Sequence, residues 1–330
     1  MVRARLVDIL ARRLLILDGA MGTFVEQRGL TEADYRGDRF QRHGLDLKGN
    51  HDVLVLTQPS VITGIHREYL NAGTDIISTN TFTSTAIAQN NYALGDLAYE
   101  MNVVGARLAR AAADESSAQT PAKPRFVAGA LGPTNHSLSM STDANDPAVR
   151  AITFDQLRDS YRDQVRGLLD GGVDILLLET IVDTLNAKAA IVAIVDECES
   201  RAVDVPVMIS VTVDRSGHTL SGQTLDAFYS SIRHAHPFSV GVNCGFGAEQ
   251  MRPHLAELAN IVDGYVSCYP NAGLPDAFGD YDDQPRDTSS LLRQFASAGF
   301  VDIVGGCCGT TPDHIAAIAA AMEGIVPRAR

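Results

Sequence analysis

Residues 298–313 read AGFVDIVGGCCGTTPD. In order, they hold a glycine able to end a helix, an aspartate, a short apolar run and a glycine-rich turn with two adjacent cysteines; a helix start follows, with Thr311 as N-cap and Pro312 at the first helical position. Helix, strand, loop, helix is the passage of a parallel α/β sheet. The punctuation recurs upstream, where Ala72-Gly73-Thr74-Asp75 precedes the apolar run 76–81 and Gly171-Gly172-Val173-Asp174 precedes 175–179. Near-continuous apolar runs of this length are how strands buried on both faces look.

Further strands fit 14–18, 126–131, 207–213, 239–243 and 265–268, with helices near 97–113, 154–170, 184–200, 226–235 and 248–261. Eight strands alternating with helices predict an α/β fold of the (β/α)8 TIM barrel type, read as one domain over residues 1–330. Such barrels place their chemistry on loops at the C-terminal strand ends. Residues 1–17 read as a helical lead-in, because Asp8 and Arg12 break any apolar run a targeting segment would need. The polar stretch 32–52 has no clean period and is expected to pass over the barrel mouth.

Composition narrows the function classes. A formal net charge of −13 opposes binding to a phosphate backbone, so nucleic acid is excluded as a partner. No apolar stretch approaches the roughly 20 residues of a membrane-spanning helix, so no membrane partner is expected. Five cysteines, an odd number in a large chain, do not read as a disulfide framework and suit a reducing cytoplasm.

The expected strand ends carry Asp18, Asn80, Gly132-Pro133-Thr134-Asn135, Glu179-Thr180, Asp214, Asn243-Cys244, Cys268 and Cys307-Cys308. Cys244 from the sixth strand and Cys307 and Cys308 from the eighth can converge, provided the backbone leaves strand geometry so that neighbouring side chains face one way; Gly305, Gly306 and Gly309 allow that. Three thiolates with an open fourth position would make a catalytic zinc site. Two other readings stay open: a closed site that adds Cys268, and a vicinal disulfide between Cys307 and Cys308 acting as a redox switch. Cys198, late in a helix, reads as a helix-surface or packing residue. Asp18 and Glu179 have no evident basic partner and could hold an ammonium, act as bases or cap loops. The amides of Gly19 and Ala20 would suit a carboxylate, and together these features fit an amino-acid substrate. His136, His218 and His314 read as loop or helix-start residues.

LDGAMGT at 17–23, TNTF at 79–82, GPTN at 132–135, LSGQT at 220–224, VNCG at 242–245, YPNAGLP at 269–275 and GGCCGTTP at 305–312 resemble the homocysteine-binding, zinc-dependent S-methyltransferase barrels. The fit is best to the homocysteine module of the cobalamin-dependent methionine synthases (5-methyltetrahydrofolate-homocysteine methyltransferases), which the DLKG stretch at 46–49 and the SMS and NDP elements within 137–147 also resemble. The resemblance implies a zinc site of Cys244, Cys307 and Cys308, with Cys268 a neighbour. It also implies a homocysteine site at Asp18, Gly19, Ala20 and Glu179, the two acids lying near the substrate's amino group. The implied activity is methyl transfer from methylcobalamin to homocysteine, giving methionine. Because no DxHxxG-type cobalamin motif is present, the chain is expected to be an isolated module whose methylcobalamin is bound by another module, with cobalamin-binding and folate-binding modules as partners. Two rivals remain. One is a free-standing homocysteine S-methyltransferase using betaine or a sulfonium, against whose betaine branch the absence of Trp counts; the other is a non-catalytic zinc or redox module.

Overall fold

The computed structural model describes residues 2–275 and 281–328. Its strands are β1 (Leu15–Ile16), β2 (Ile76–Ser78), β3 (Phe126–Leu131), β4 (Ile175–Ile181), β5 (Val207–Val211), β6 (Ser239–Gly247), β7 (Tyr265–Asn271) and β8 (Ile303–Val304). All pairings are parallel, running from β2 to β8 in order and from β8 on to β1. A bridge between Leu17 and Ile76 closes the seam, with Asp75 N donating to Ile16 O at 2.8 Å and Asp18 N to Ile76 O at 3.0 Å. The fold is therefore the expected (β/α)8 barrel. Strands β4, β6 and β7 run two to four residues past their expected ends, and those added residues belong to the mouth.

Side-chain alternation along the strands makes two cores. Leu15, Leu17, Ile76, Phe126, Ala128, Ile175, Leu177, Met208, Tyr269 and Ile303 fill the barrel lumen, together with Leu6, Ile9 and Leu10 of the helix Val2–Leu10. That helix, the expected lead-in, plugs the lower end. The intervening residues, among them Ile16, Ile77, Val127, Leu176, Ile209, Val242 and Cys268, face outward into the layer packed under the helices.

Local chemistry sets the helix ends. Thr153 and Gln156 form a capping box at the start of Phe154–Gly171, and Gly172 stops it at φ 91°. Thr311 and His314 do the same for Pro312–Ala321, which is the role His314 takes.

The aspartates of the repeated punctuation staple the N-terminal end of the barrel. Asp75 accepts from Ile16 N at 2.9 Å and from both Arg13 terminal nitrogens at 2.7 and 2.9 Å. Asp174 accepts from Val127 N at 2.9 Å and pairs with Arg110. Asp302 accepts from Val266 N at 2.9 Å and pairs with Arg328 at 3.3 Å. Each carboxylate thus ties its own strand to a neighbouring one while a guanidinium balances its charge. Among the described residues, no helix is long and apolar enough to cross a membrane.

Candidate metal and substrate site

At the C-terminal ends of the strands lies a cleft of ≈ 430 Å³ whose lining includes Asp18, Gly19, Ala20, Glu179, Cys244, Cys307 and Cys308. All seven residues expected at the site are on it. The backbone brings them there by breaking regularity at two places. Register shifts interrupt β4 between Leu178 and Ile181 and β6 between Asn243 and Gly247. Inside these bulges Thr180 and Cys244 take φ of 58° and 59°, left-handed values that strain a residue with a Cβ. In a regular strand Cys244 would face the helix layer, as Val242 does; the bulge turns it into the cleft.

Cys307 and Cys308 lie beyond the end of β8, on a pinned turn. Cys307 N donates to Pro270 O at 2.7 Å, Ala272 N to Cys308 O at 2.9 Å, and Thr310 Oγ1 to Cys307 O at 2.6 Å. Gly309 sits at φ 78° with the Tyr281 ring where a Cβ would be, so only glycine suits it.

The Sγ of Cys308 is 3.8 Å from that of Cys244 and 3.9 Å from that of Cys307, and all three sulfurs lie within 4.8 Å of one another. Ligands about 2.3 Å from a tetrahedral zinc lie about 3.8 Å apart, so the sulfurs stand as three corners of such a site. They are free thiols, too far apart for a bond of about 2.05 Å, which leaves the vicinal disulfide unmade here. Cys268 faces the opposite way, its Sγ 3.8 Å from Met251 Sδ in the helix layer, so a closed four-thiol site does not form. Asn271, between the residues that bond Cys307 and Cys308, keeps a buried Oδ1 with no hydrogen-bond partner. Thiols at this spacing fit a thiophilic cation.

Across the cleft lie the acids. Asp18 is buried, accepts from Ser78 N at 2.7 Å and from Ser78 Oγ at 2.9 Å, and is pushed up to about 7 by burial. Glu179 is pushed up to about 8, first by burial and then by the charge of Asp18, although Tyr269 hydrogen-bonds to it. Neither forms a salt bridge among the described residues; Arg13, the arginine nearest Asp18 in sequence, pairs with Asp75 instead. Two carboxylates facing one space without a cation make a seat for one.

The Gly19-Ala20 loop is locked by Tyr69, whose single Oη proton is shared between Ala20 O at 3.0 Å and Thr310 O at 3.1 Å. Ala20 N already donates to Thr310 Oγ1 at 3.2 Å, so of the two amides expected to meet a carboxylate this one is engaged. Asp214 and His218 share an exposed turn with Ser216, and the His136 carbonyl accepts from Thr134 and Asn186; neither histidine lines the cleft. Cys198 packs half-buried against the helix layer.

Sequence reading missed Ser78, Phe82, Tyr269, His51 and Asp52 as cleft residues. The last two end the polar excursion, which reaches the mouth because Asp52 accepts from Thr83 N at 2.7 Å, Thr83 Oγ1 at 3.1 Å and Ser84 Oγ at 2.8 Å. Tyr269 stands one residue after Cys268 and so on the opposite face of the strand; with Cys268 turned outward, Tyr269 looks into the cleft.

Residues 15–322 match the model of a family described as homocysteine S-methyltransferase. Among solved structures the chain is similar to the homocysteine methyltransferase MmuM from Escherichia coli. The metallated form is 24% identical with a TM-score of 0.75, over 97% of this chain and 99% of that one. The oxidized form is 23% identical with the same TM-score, over 96% and 99%. These structural likenesses speak for the shared barrel; the family match, which spans all eight strands and both thiol-bearing loops, is what establishes that the chain belongs to the homocysteine S-methyltransferase family.

Proposed function

We propose that this barrel binds homocysteine in the cleft and methylates its sulfur to give methionine, with zinc held by Cys244, Cys307 and Cys308 and with residues 1–330 acting as one domain. The observation that carries the reading is the pairing, in one cleft, of three thiols at zinc-ligand spacing with two acids that lack a cation. Zinc, when bound, supplies a Lewis acid that lowers the pKa of a coordinating thiol so that homocysteine presents a thiolate at neutral pH.

The chain's own residues do the rest. Asp18 and Glu179 take the substrate's ammonium, whose arrival favours their ionised forms. Ser78 and Tyr269 fix these carboxylates by hydrogen bonds. The Gly19 edge of the locked loop faces the carboxylate, and Met21, Phe82 and Pro133 give the cleft an apolar lining that thins water around the sulfur. Free thiols at such a site suit a reducing cytoplasm.

For the methyl donor, one reading is a homocysteine methyltransferase like MmuM in kind, taking its methyl from a small onium compound, a sulfonium or betaine. A second reading, methylcobalamin presented by a separate module beside a folate-binding one, is supported by the motifs at 46–49 and 137–147. Supplying each donor with homocysteine and zinc decides between them: methionine from S-methylmethionine or betaine supports the first, and methionine from methylcobalamin alone supports the second. Zinc X-ray absorption tests the common core. One light-atom ligand replaced by a fourth sulfur on adding homocysteine is expected; four sulfurs in both states would sink it.

A further inference from the structure

Between the acids and the thiols stands Asn243, fully buried, the last regular residue of β6 before its bulge. Its Oδ1 accepts from Thr180 N at 3.1 Å and Ser210 Oγ at 2.6 Å. Its Nδ2 donates to Thr180 Oγ1 at 2.8 Å and approaches Cys307 Sγ at 4.0 Å. All four hydrogen-bonding positions of the carboxamide are assigned. Its orientation is not a free choice, because a backbone N–H can only donate: the atom facing Thr180 N has to be oxygen, which leaves nitrogen facing Cys307.

The same carboxamide therefore grips the strained residue beside Glu179, precedes the strained residue Cys244, and points an N–H at a third thiol-bearing residue. Thr212 Oγ1 donates to the backbone carbonyl of Asn243 at 2.8 Å, and Ser210 links the carboxamide to Tyr269, the partner of Glu179. We propose that Asn243 is a positioning residue that holds the acid pair and the thiol cluster in fixed relation and donates an N–H···S hydrogen bond to Cys307 when metal is bound. A donor of this kind is charge-assisted once the sulfur is a thiolate, and it withdraws charge from one of three anionic ligands crowded on a single cation. The inference rests on the three-thiol metal reading above and adds to it a partner outside the ligand set.

Two measurements test it, neither of them turnover. In the cadmium-113-loaded protein labelled with 15N at asparagine, one side-chain amide proton is expected to show scalar coupling to the metal through sulfur. Absence of such coupling from every asparagine in a metal-loaded sample would overturn the hydrogen bond, and this measurement needs no variant that folds. Asn243→Asp keeps the acceptor for Thr180 N and Ser210 but loses the donor. It is expected to weaken cobalt(II) binding by about 10–100-fold, as loss of an outer-shell partner does, and to shift the sulfur-to-cobalt charge-transfer band. A folded Asn243→Asp protein with unchanged affinity and band would overturn the proposal while leaving the metal site intact. A native protein with no sulfur-to-cobalt band at all would sink the metal reading and this inference with it.

Discussion

At the lower end of the barrel Asp75, Asp174 and Asp302 each meet an arginine and a backbone amide; at the upper end Asp18 meets the amide and hydroxyl of Ser78 and Glu179 the hydroxyl of Tyr269, with no arginine paired to either among the described residues. The lower acids have their charge balanced within the chain, by Arg13, Arg110 and Arg328. Of the upper acids, Asp18 is pushed up to about 7 by burial and Glu179 up to about 8 by burial and then by the charge of Asp18, so ionising them opposes folding. The lower end is arranged for stability and the upper, in the function proposed above, for a cation that comes from outside, which is the division expected of a barrel with its chemistry at the C-terminal face.

That contrast can be broken in several ways. The largest effect is expected at the thiols: Cys308→Ala should lose zinc and lower methionine formation about a thousandfold, the several kcal/mol a Lewis acid supplies, without unfolding. Metal analysis and circular dichroism check this, and a variant retaining stoichiometric zinc would show that the cluster is not the metal site. Next comes the floor, where Asp75→Asn removes the charge from a buried carboxylate that holds Arg13 and a strand amide; about 3 kcal/mol of stability should go, read from urea midpoints, with homocysteine affinity unchanged in whatever remains folded.

At the mouth the sign reverses. Glu179→Gln should raise KM for homocysteine about 10–30-fold, the loss of a charged hydrogen-bonding partner, yet leave the substrate-free protein as stable or more so. The pH dependence follows from the same shift. A carboxylate raised from 4.5 to about 8 on folding binds more protons folded than unfolded, so its contribution to stability is present below pH 4.5 and is lost as pH rises toward 8. Unfolding titrations on Glu179→Gln should show a shallower loss across that window than the native protein; equal slopes would mean that the acid has a cation after all. The smallest effect belongs to Cys268→Ala, expected to keep its zinc and to cost about 1 kcal/mol as a small cavity in the helix layer. Loss of zinc there would restore the closed four-thiol reading.

How far the sequence foretold this depends on the range of the forces involved. The barrel was legible because its signals are local: a glycine after a helix, an aspartate, an apolar run. The aspartate before each of these three strands turns out to be the staple itself. The thiols were legible from their place at strand ends. Exclusion of Cys268 was less so, because a strand buried on both faces shows no polar alternation, and VSCYPN gives no sign of which parity faces inward. The twist at Cys244 and Thr180 left no trace, since neither is a glycine. The acids' lack of a cation was visible only as a missing neighbour in sequence; Arg13, five residues before Asp18, spends its charge at the other end of the barrel. His51 and Asp52 reach the mouth through contacts with Thr83 and Ser84, some 30 residues further along the chain.

The plug formed by Leu6, Ile9 and Leu10 gives the lumen a floor, and with it a rule of traffic. A cleft with one opening is a cul-de-sac: whatever binds deepest must enter first and depart last. With homocysteine seated against the thiols and its donor arriving from the open side, turnover would be single file, with the amino acid leading in, the spent donor leading out, and methionine waiting behind it. Initial-rate and product-inhibition patterns of an ordered sequential enzyme would be the kinetic signature of three apolar side chains at the far end of the molecule.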